Sequence, residues 1–297
     1  MTRPDTRKGI ACMIAATLVF SVQDALSRHL GETNNVFVIV MIRYWFFAAF
    51  VVALALKAPG GLGRALRPRF PVIQVLRGVM LVAEICIMVV AFVKLGLVAT
   101  HAVFTCFPLL VAALSGPVLG EYVGWRRWTA VAVGLVGVLV ILQPGGGVLS
   151  LWSVLPFAAA LLFALYGLLT RYVAAEDGAA VSFFWAGTSG AVAITMLGLW
   201  FWEPLSEGSW PWMAALCVTG IIGHWCMIRA YDYAEASAIQ PFSFLQLVWA
   251  SIIGVAFLGE SLTANVVIGA GIVVAAGLFT LWRADKKGEA PTPVARP

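Results

Sequence analysis

The sequence predicts an all-α membrane protein with ten transmembrane helices, arranged as two five-helix repeats of inverted topology. Three observations support this fold class: the composition, the length of the apolar segments, and a triplet that recurs in both halves. Of the 297 residues, 62% are hydrophobic and 11% are charged. Soluble domains carry about 25% charged residues, so this composition excludes a soluble globular protein.

The apolar residues fall into ten segments long enough to cross a bilayer, which takes about 20 residues per helix. The expected spans are 9–29, 36–56, 72–94, 97–118, 126–142, 151–173, 179–201, 210–232, 237–258 and 263–282. The short connections between them leave no room for a separate soluble domain. The first span is too long for a signal peptide and has no A-x-A cleavage site, so we interpret it as an uncleaved helix.

The Lys and Arg residues determine the expected orientation, because cytoplasmic loops carry an excess of both. With the N-terminus inside, fifteen of the 19 lie on the cytoplasmic side, and only Arg28 and Lys94 lie outside. Arg43 and Arg77 lie within spans. We therefore expect a multi-pass protein of the inner or plasma membrane with both termini in the cytoplasm. Residues 286–297 are expected to form a disordered cytoplasmic tail.

One short motif divides the chain into two similar halves, 1–145 and 146–285, with five spans each. Leu119-Gly120-Glu121 recurs 139 residues later as Leu258-Gly259-Glu260, each time at the end of a fourth span. Further matches are Phe20 with Phe163, Arg28 with Arg171, and Pro71 with Pro211. An odd number of spans gives the two halves opposite topologies, so Glu121 and Glu260 are expected to mark span ends on opposite faces. Chance similarity between apolar segments is the alternative, but the span count and charge asymmetry favour an inverted repeat, which is typical of alternating-access transporters.

Glu84 lies almost at the centre of the third span, where an ionisable side chain is costly unless it is paired or faces water. It has no basic residue at helical spacing on its own helix. It could bind a substrate ammonium group, carry a coupling proton, or sit neutral in a packed interface. His224 occupies the corresponding part of the eighth span. It could hydrogen-bond a substrate carboxylate or titrate, or it could be satisfied by a neighbouring helix.

Asp24 and Arg43 lie in the outer halves of the first two spans. They could form an ion pair that locks the two helices together, or they could act in gating or binding. Arg28, one turn further along the first span, is an alternative partner for Asp24. His101, near the outer end of the fourth span, is expected to be interfacial.

Further polar and aromatic residues complete the expected lining of a central cavity: Gln23, Tyr166, Trp185, Trp225, Gln246 and Trp249. Aromatic walls suit a flat or partly apolar substrate and can hold an ammonium group by cation–π contact. The alternative is that the tryptophans and tyrosines mark the membrane interfaces.

Prolines and glycines indicate where helices bend or approach each other. Pro108 in the fourth span and Pro241 at the start of the ninth remove backbone hydrogen bonds, so we expect gating movement at both points. Prolines also occur in static membrane helices, which is the alternative. Gly134 and Gly137 are expected to permit close helix packing.

Several functional classes are excluded by motifs that the sequence lacks. There is no GxxxxGK[ST] phosphate loop, so ATP is not the energy source, and there is no HExxH or GxSxG motif. The three histidines share no metal-ligand spacing and the five cysteines form no CxxC pair. We therefore expect no metal site, no cofactor and no catalytic residue. The basic residues lie between spans rather than on one patch, which argues against nucleic acid as a partner.

The pattern of five plus five spans, with Gly-Glu closing the fourth span of each half, resembles the EamA type of the drug/metabolite transporter superfamily. Glycines in the fifth spans extend a resemblance that covers about residues 9–282: Gly134, Gly137, Gly269 and Gly277. Ala130 departs from the pattern, because the second half has Gly269 at the matching position. The resemblance implies a ten-helix exporter of small metabolites driven by a gradient. Within this superfamily, the branch that the chain resembles most is that of the aromatic amino-acid exporters.

These observations lead us to expect a secondary-active exporter of small metabolites, above all aromatic or other neutral amino acids, with a midplane cavity between the repeats. The expected partners are that small-molecule substrate, membrane lipids and, if flux is coupled, protons. A passive facilitator or channel of the same architecture is the alternative. An intramembrane enzyme is a remote alternative, because the chain lacks a cluster of catalytic or metal-binding residues.

Overall fold

The computed structural model describes residues 5–58, 60–120, 123–142, 152, 154–234 and 236–286, and within them every regular element is helical. The helices are α1 (Thr6–Gly31), α2 (Val36–Lys57), α3 (Gly61–Ala65), α4 (Pro71–Leu95), α5 (Leu97–Phe104), α6 (Phe107–Leu119), α7 (Trp125–Leu142), α8 (Val154–Trp200), α9 (Ser209–Tyr233), α10 (Ala236–Ile239), α11 (Leu245–Phe257) and α12 (Ala264–Lys286). A 3₁₀ segment, Gln240–Phe244, lies between α10 and α11. Ten stretches are long and apolar enough to cross a membrane, which confirms the predicted fold class.

Some predicted features lie outside the described residues. Glu121 of the first triplet is one of them, and the junction between the two expected repeats is another. The expected tail, 286–297, is described only at Lys286. The repeat boundaries, 1–145 and 146–285, therefore stay predictions.

The fourth and ninth spans are both interrupted close to a proline. α5 ends at Phe104 and α6 begins at Phe107, with Pro108 in the first turn of α6. In the ninth span, the short α10 leads into the 3₁₀ segment, which contains Pro241, before α11 begins. Proline has no backbone N–H and therefore suits the start of a helical segment rather than its interior. That these interruptions act as hinges stays a prediction.

The sixth and seventh spans run together as α8 and are divided at Gly178. This glycine has a φ of 73°, a left-handed conformation that a residue without a Cβ adopts at little cost. The chain turns there without a longer loop. The two spans, Val154–Val173 and Ala180–Trp200, thus form a helical hairpin.

The two halves of the chain are interleaved. α1, the first span of the N-terminal half, packs along α9, the third span of the C-terminal half. In the converse arrangement, α4 packs along the hairpin of α8. The final spans of the halves, α7 and α12, pack against each other. Each half therefore buries its apolar faces mainly against the other half.

The crossing of α7 and α12 brings two glycine backbones into contact. A Cβ atom added at Gly137 would lie 2.8 Å from the carbonyl oxygen of Gly269, and one added at Gly269 would lie 2.6 Å from that of Gly137. Glycine is therefore the residue that this crossing requires. Ala130, the departure from the family pattern, does not loosen it, because Gly137 rather than Ala130 faces Gly269.

The two ends of the bundle differ in packing. Both described chain ends lie on one side, the terminal face, because the number of spans is even, and α1 ends at Gly31 on the opposite, distal face. On the distal side, α5 packs against α11. On the terminal side, α6 contacts α7, α8 and α12, and no comparable packing joins it to α10 or the 3₁₀ segment among the described residues. The fourth and ninth spans therefore meet towards the distal face and separate towards the terminal face.

Candidate functional site

Asp24 is the point at which three helices meet in the distal half of the bundle. Its Oδ2 atom accepts a hydrogen bond from Nε2 of Gln246 on α11, at 3.1 Å. The same oxygen lies 3.1 Å from Nε2 of His101 on α5, an ion pair whenever His101 is protonated. The sequence suggested that His101 lies at the membrane interface. In the structure it is only 3% exposed and stacks on Phe92, so it is buried instead.

Neither ion pair expected for Asp24 forms among the described residues. Its carboxylate is occupied by His101 and Gln246, and Arg43 makes no ion pair with it. Arg28, one turn away on α1, is directed instead to Glu260 and Glu32. Asp24 therefore links α1 to α5 and α11 rather than to α2. Pattern alone could not reveal this, since the partners are distant in sequence.

Arg43 lies half-buried on α2 and forms no hydrogen bond or ion pair with the described part of the chain. Its charge acts on Glu84 of α4 and on His224 and Cys217 of α9. α2 packs against both α4 and α9, so Arg43 lies near side chains of these two helices. A cation at this depth in a membrane is costly without a counter-ion, so its surroundings must supply water or an anion.

Glu84 lies near the centre of α4 and is 6% exposed. Within the described residues its carboxyl forms no hydrogen bond or ion pair, and the charges that act on it belong to Asp24 and Arg43. Tyr44 of α2 interacts electrostatically with the same carboxyl, and its buried hydroxyl has no hydrogen-bond partner among the described residues. The structure thus gathers an acidic, a basic and a phenolic group whose hydrogen-bonding capacity is unused.

His224 lies in an aromatic cage on one side of this group. Its ring centroid is 4.6 Å from that of Phe47, 5.2 Å from that of Phe20 and 5.8 Å from that of Phe183. Its Nδ1 lies 2.8 Å from the carbonyl oxygen of Gly220, so this nitrogen carries a proton and donates it within α9. We call these four rings the first aromatic cluster. His224 is thus satisfied on one nitrogen by its own helix rather than by a neighbouring one.

A second aromatic cluster lies on the fourth and sixth spans and consists of Phe104, Phe107, Phe163 and Tyr166. The ring of Phe163 is 5.5 Å from Phe104, 5.0 Å from Phe107 and 6.0 Å from Tyr166, between centroids. Tyr166 also interacts electrostatically with Tyr44, so this cluster borders the polar group. Phe20 of the first cluster and Phe163 of the second are matched residues of the repeat. Each cluster therefore combines rings from both halves of the chain, and Phe47 of the first cluster lies one helical turn after Arg43 on α2.

Glu260 joins three elements at the distal face. Its carboxylate accepts hydrogen bonds from the backbone N–H groups of Leu97, at 2.6 Å, and Val98, at 2.8 Å, and it pairs with Arg28. Gly96 has a φ of 87°, and a Cβ there would lie 2.9 Å from the carboxyl carbon of Glu260. Glu260 lies at the end of the ninth span, and these contacts give it a structural role there as well. It fixes the end of the ninth span to α1 and to the start of α5.

A family model for EamA-like transporters matches the chain twice, over residues 7–143 and 150–282. The chain belongs to the EamA-like transporter family. This membership confirms the resemblance found in the sequence, and it makes the protein a multi-pass membrane transporter rather than an enzyme. The aromatic amino-acid exporter branch stays a prediction.

Relatives in this EamA-like family transport different small molecules in different directions. An S-adenosylmethionine uptake transporter of Rickettsia prowazekii is 24% identical over 281 residues, which is 94% of each chain. A riboflavin transporter of Vibrio cholerae is 29% identical over 181 residues, covering 60% of this chain and 61% of that one. A pseudopaline exporter of Pseudomonas aeruginosa is 22% identical over 292 residues, covering 94% and 98%.

A solved crystal structure supports the same fold. It superimposes with a TM-score of 0.62 at 17% identity and covers 93% of this chain and 98% of its own. At this level of identity the likeness concerns the fold alone.

The EamA-family chain also contains a buried polar network that the sequence did not reveal. Arg77 on α4 is 1% exposed, donates from Nε to Oγ1 of Thr170 at 3.0 Å, and bonds to the side-chain oxygen of Gln74. Gln74 in turn donates to Asp177 at 2.7 Å, and Asp177 also accepts from the backbone N–H of Arg69. The spacing of Gln74 and Arg77, three residues apart on one helix, was the only available signal. Asp177 had the pattern of a loop residue.

Of the other expected cavity residues, two belong to the interior. Gln23 is buried, and its Oε1 atom, which faces α9 at Gly220, has no hydrogen-bond partner in the described residues. Trp249 on α11 is half-buried, and its buried Nε1 likewise has no partner there. Both side chains could therefore still bond to a ligand or to water.

The other two tryptophans are not brought to the polar group. Trp185 donates its indole N–H to the carbonyl oxygen of Ala65 at 2.9 Å, which ties it to α3 at the terminal face. Trp225 is 46% exposed and lies beneath the guanidinium of Arg229, 5.1 Å from its ring centroid. The alternative interpretation, that tryptophans of this chain mark the membrane interface, therefore suits both positions.

Replacing Trp185 with phenylalanine is expected to leave transport unchanged. The substitution keeps the ring and removes one hydrogen bond to α3, which costs about 1 kcal/mol of stability. Transport rates of Trp185→Phe and wild type, measured in proteoliposomes at equal protein content, should agree within about twofold, because a protein of ordinary stability stays folded after a loss of this size. A loss of substrate affinity with normal thermal stability would return Trp185 to the binding site.

Proposed function

We propose that this EamA-family protein is a secondary-active exporter of small metabolites with an amine group, amino acids above all, which bind midway through the bundle. The observation that carries the proposal is the buried carboxyl of Glu84, which has no hydrogen-bond or ion-pair partner among the described residues. A buried carboxyl without a hydrogen-bond donor is costly, and a substrate ammonium would supply one. The two aromatic clusters in the bundle suit an apolar or flat remainder of the substrate.

The transported molecules of the relatives are consistent with such a site. S-adenosylmethionine carries an amino-acid group and a flat ring system, and riboflavin carries a flat ring system. The Rickettsia relatives match this chain over 94% of its length, so the comparison covers both halves. These similarities support a substrate of comparable size and do not identify it.

The packing at the two faces supports alternating access and the direction of loading. The fourth and ninth spans meet on the distal side, where Glu260 binds α5 and Arg28, and they separate on the terminal side. The excess of Lys and Arg on the terminal side supports a terminal face in the cytoplasm. A site that is reached from the cytoplasm and closed to the outside is the state in which an exporter loads its substrate. Pro108 and Pro241 lie where the two spans would bend.

Transport by the purified protein in proteoliposomes tests the proposal. A panel of labelled amino acids is offered with and without a pH gradient. Saturable flux of at least one amino acid that responds to the gradient supports a coupled exporter. Saturable flux that ignores the gradient would instead favour a passive facilitator, and absence of flux for every amino acid would refute the proposed substrate class.

Replacing Glu84 with glutamine is expected to slow transport by about one to two orders of magnitude. The amide keeps the shape but loses the charge that attracts an ammonium group, a contact worth about 1.5–3 kcal/mol. Initial rates and apparent KM of Glu84→Gln in the same proteoliposomes measure the effect. Glu207→Gln, the same change at an exposed residue of the distal loop, is the matched control. Equal rates for wild type and Glu84→Gln would remove Glu84 from the site.

A further inference from the structure

Arg43 is a positive charge on a membrane-spanning helix, and the described part of the chain supplies no partner for it. It lies on α2 seven residues after Val36, about 10 Å along the helix axis from the distal end. No carboxylate of the described chain lies within ion-pair distance of it, and no described acceptor hydrogen-bonds to it. The other arginine in a span, Arg77, differs in this respect, because Thr170 and Gln74 bind it.

The acidic residues near Arg43 do not compensate its charge. Asp24, the partner suggested by the sequence, is held by His101 and Gln246. Glu84 interacts with Arg43 only at a distance, without an ion pair. The arrangement therefore keeps a negative and a positive group apart and available, although a direct contact between them would be more stable in the absence of a ligand.

We propose that Arg43 binds the carboxylate of the substrate and so limits the cargo to molecules that carry a carboxylate as well as an amine. The inference rests on the proposed function and deepens it. The guanidinium group presents two parallel N–H donors that match the two oxygens of a carboxylate. Glu84 then receives the ammonium group. The buried hydroxyl of Tyr44, which interacts electrostatically with both side chains, is a further donor in the same region.

This assignment gives each half of an amino-acid group its own helix. Arg43 on α2 takes the carboxylate, and Glu84 on α4 takes the amine. Removing the carboxylate from a substrate leaves Arg43 buried and unpaired in the complex, which disfavours binding more than the loss of a surface contact would. The protein therefore selects against amines that lack a carboxylate.

Competition between matched compounds tests the inference. Two pairs of inhibitors of the transport of a labelled amino acid are compared. S-adenosylmethionine is compared with its decarboxylated form, and L-tryptophan is compared with tryptamine. In the wild type, the compound with the carboxylate should inhibit at a concentration about tenfold lower than its partner, or lower still, which is the effect of one charge-assisted contact. We call the quotient of the two inhibitory concentrations the ratio. In Arg43→Gln the ratio should fall to near one, and Arg43→Lys, which keeps the charge but not the fork, should retain an intermediate ratio. Arg64→Gln, at an exposed arginine of α3, should leave it unchanged.

The outcomes separate the two proposals. If the wild type transports amino acids but both members of each pair inhibit it equally, the role of Arg43 is overturned and the proposed function stands. An unchanged ratio in Arg43→Gln would do the same. If Arg43→Gln does not fold, as judged by gel filtration and thermal unfolding, the ratios of wild type and Arg43→Lys decide. No transport of any amino acid would overturn the proposed function and this inference together.

Discussion

Replacing Glu260 with alanine is expected to open the distal face of the transporter. The carboxylate accepts two backbone hydrogen bonds at the start of α5 and pairs with Arg28, and its side chain and that of Arg28 are 11% and 16% exposed. Breaking a buried pair from one side costs about 3–5 kcal/mol. Because each ~1.4 kcal/mol is a factor of ten, this loss can shift the balance between closed and open conformations by two orders of magnitude or more.

The distance between the distal ends of the first and ninth spans measures this opening. The five native cysteines are first changed to serine. Spin labels are then attached at Thr33→Cys and Leu262→Cys, both at exposed positions. In wild type the distance distribution should be short and narrow, and in Glu260→Ala it should gain a longer component. Glu207→Ala is the control at an exposed distal carboxylate. Identical distributions in Glu260→Ala and wild type would show that apolar packing alone closes this face.

The second large effect is expected from Gly269→Leu at the crossing of α7 and α12. A Cβ at this position would lie 2.5 Å from Cγ1 of Ile141 and 2.6 Å from the carbonyl oxygen of Gly137. Because one of these neighbours is backbone, the two helices must move apart. Overpacking costs about 1–3 kcal/mol and more where backbone must shift, so we expect a loss near or above the upper value.

The same helix offers a matched control for this substitution. At Gly271 an added Cβ meets no atom within 4 Å, so Gly271→Leu introduces the same side chain without the collision. Thermal unfolding in detergent should show a marked decrease in Tm for Gly269→Leu and little change for Gly271→Leu. Equal Tm values for the two variants would mean that α7 and α12 separate easily and contribute little to stability.

Local features of this fold were predictable from the sequence, because each follows from a few neighbouring residues. The ten spans follow from apolar runs of bilayer length, and the interruptions of the fourth and ninth spans follow from Pro108 and Pro241. The close crossing of the fifth spans follows from their glycines. The turn in α8 coincides with Gly178, which lies between the expected sixth and seventh spans, 151–173 and 179–201.

The partners of the charged side chains were not predictable in the same way. Asp24 and Gln246 are 222 residues apart, and Glu260 is 163 residues from Leu97, so only the folded chain brings them together. Helical spacing suggested Arg28 as the ion-pair partner of Asp24. Arg28 instead pairs with the carboxylate of Glu260, which lies at the same face. Glu84 and Tyr166 could be selected as candidates from depth and residue type alone, whereas Trp185 and Trp225 were selected for residue type without knowledge of which way they face.

The network around Arg77 has a consequence for how much of the molecule takes part in transport. Gln74 and Arg77 fasten α4 to both arms of the α8 hairpin, because they bond to Thr170 and Asp177 before Gly178 and to Ser182 after it. Helices joined in this way rotate and translate as one block. Among the described residues no such network crosses the interruptions of the fourth and ninth spans, so we expect the internal mobility of the protein to be concentrated at these two points. On this expectation most of the bundle keeps its position during transport, and its outer surface stays in contact with the same lipids.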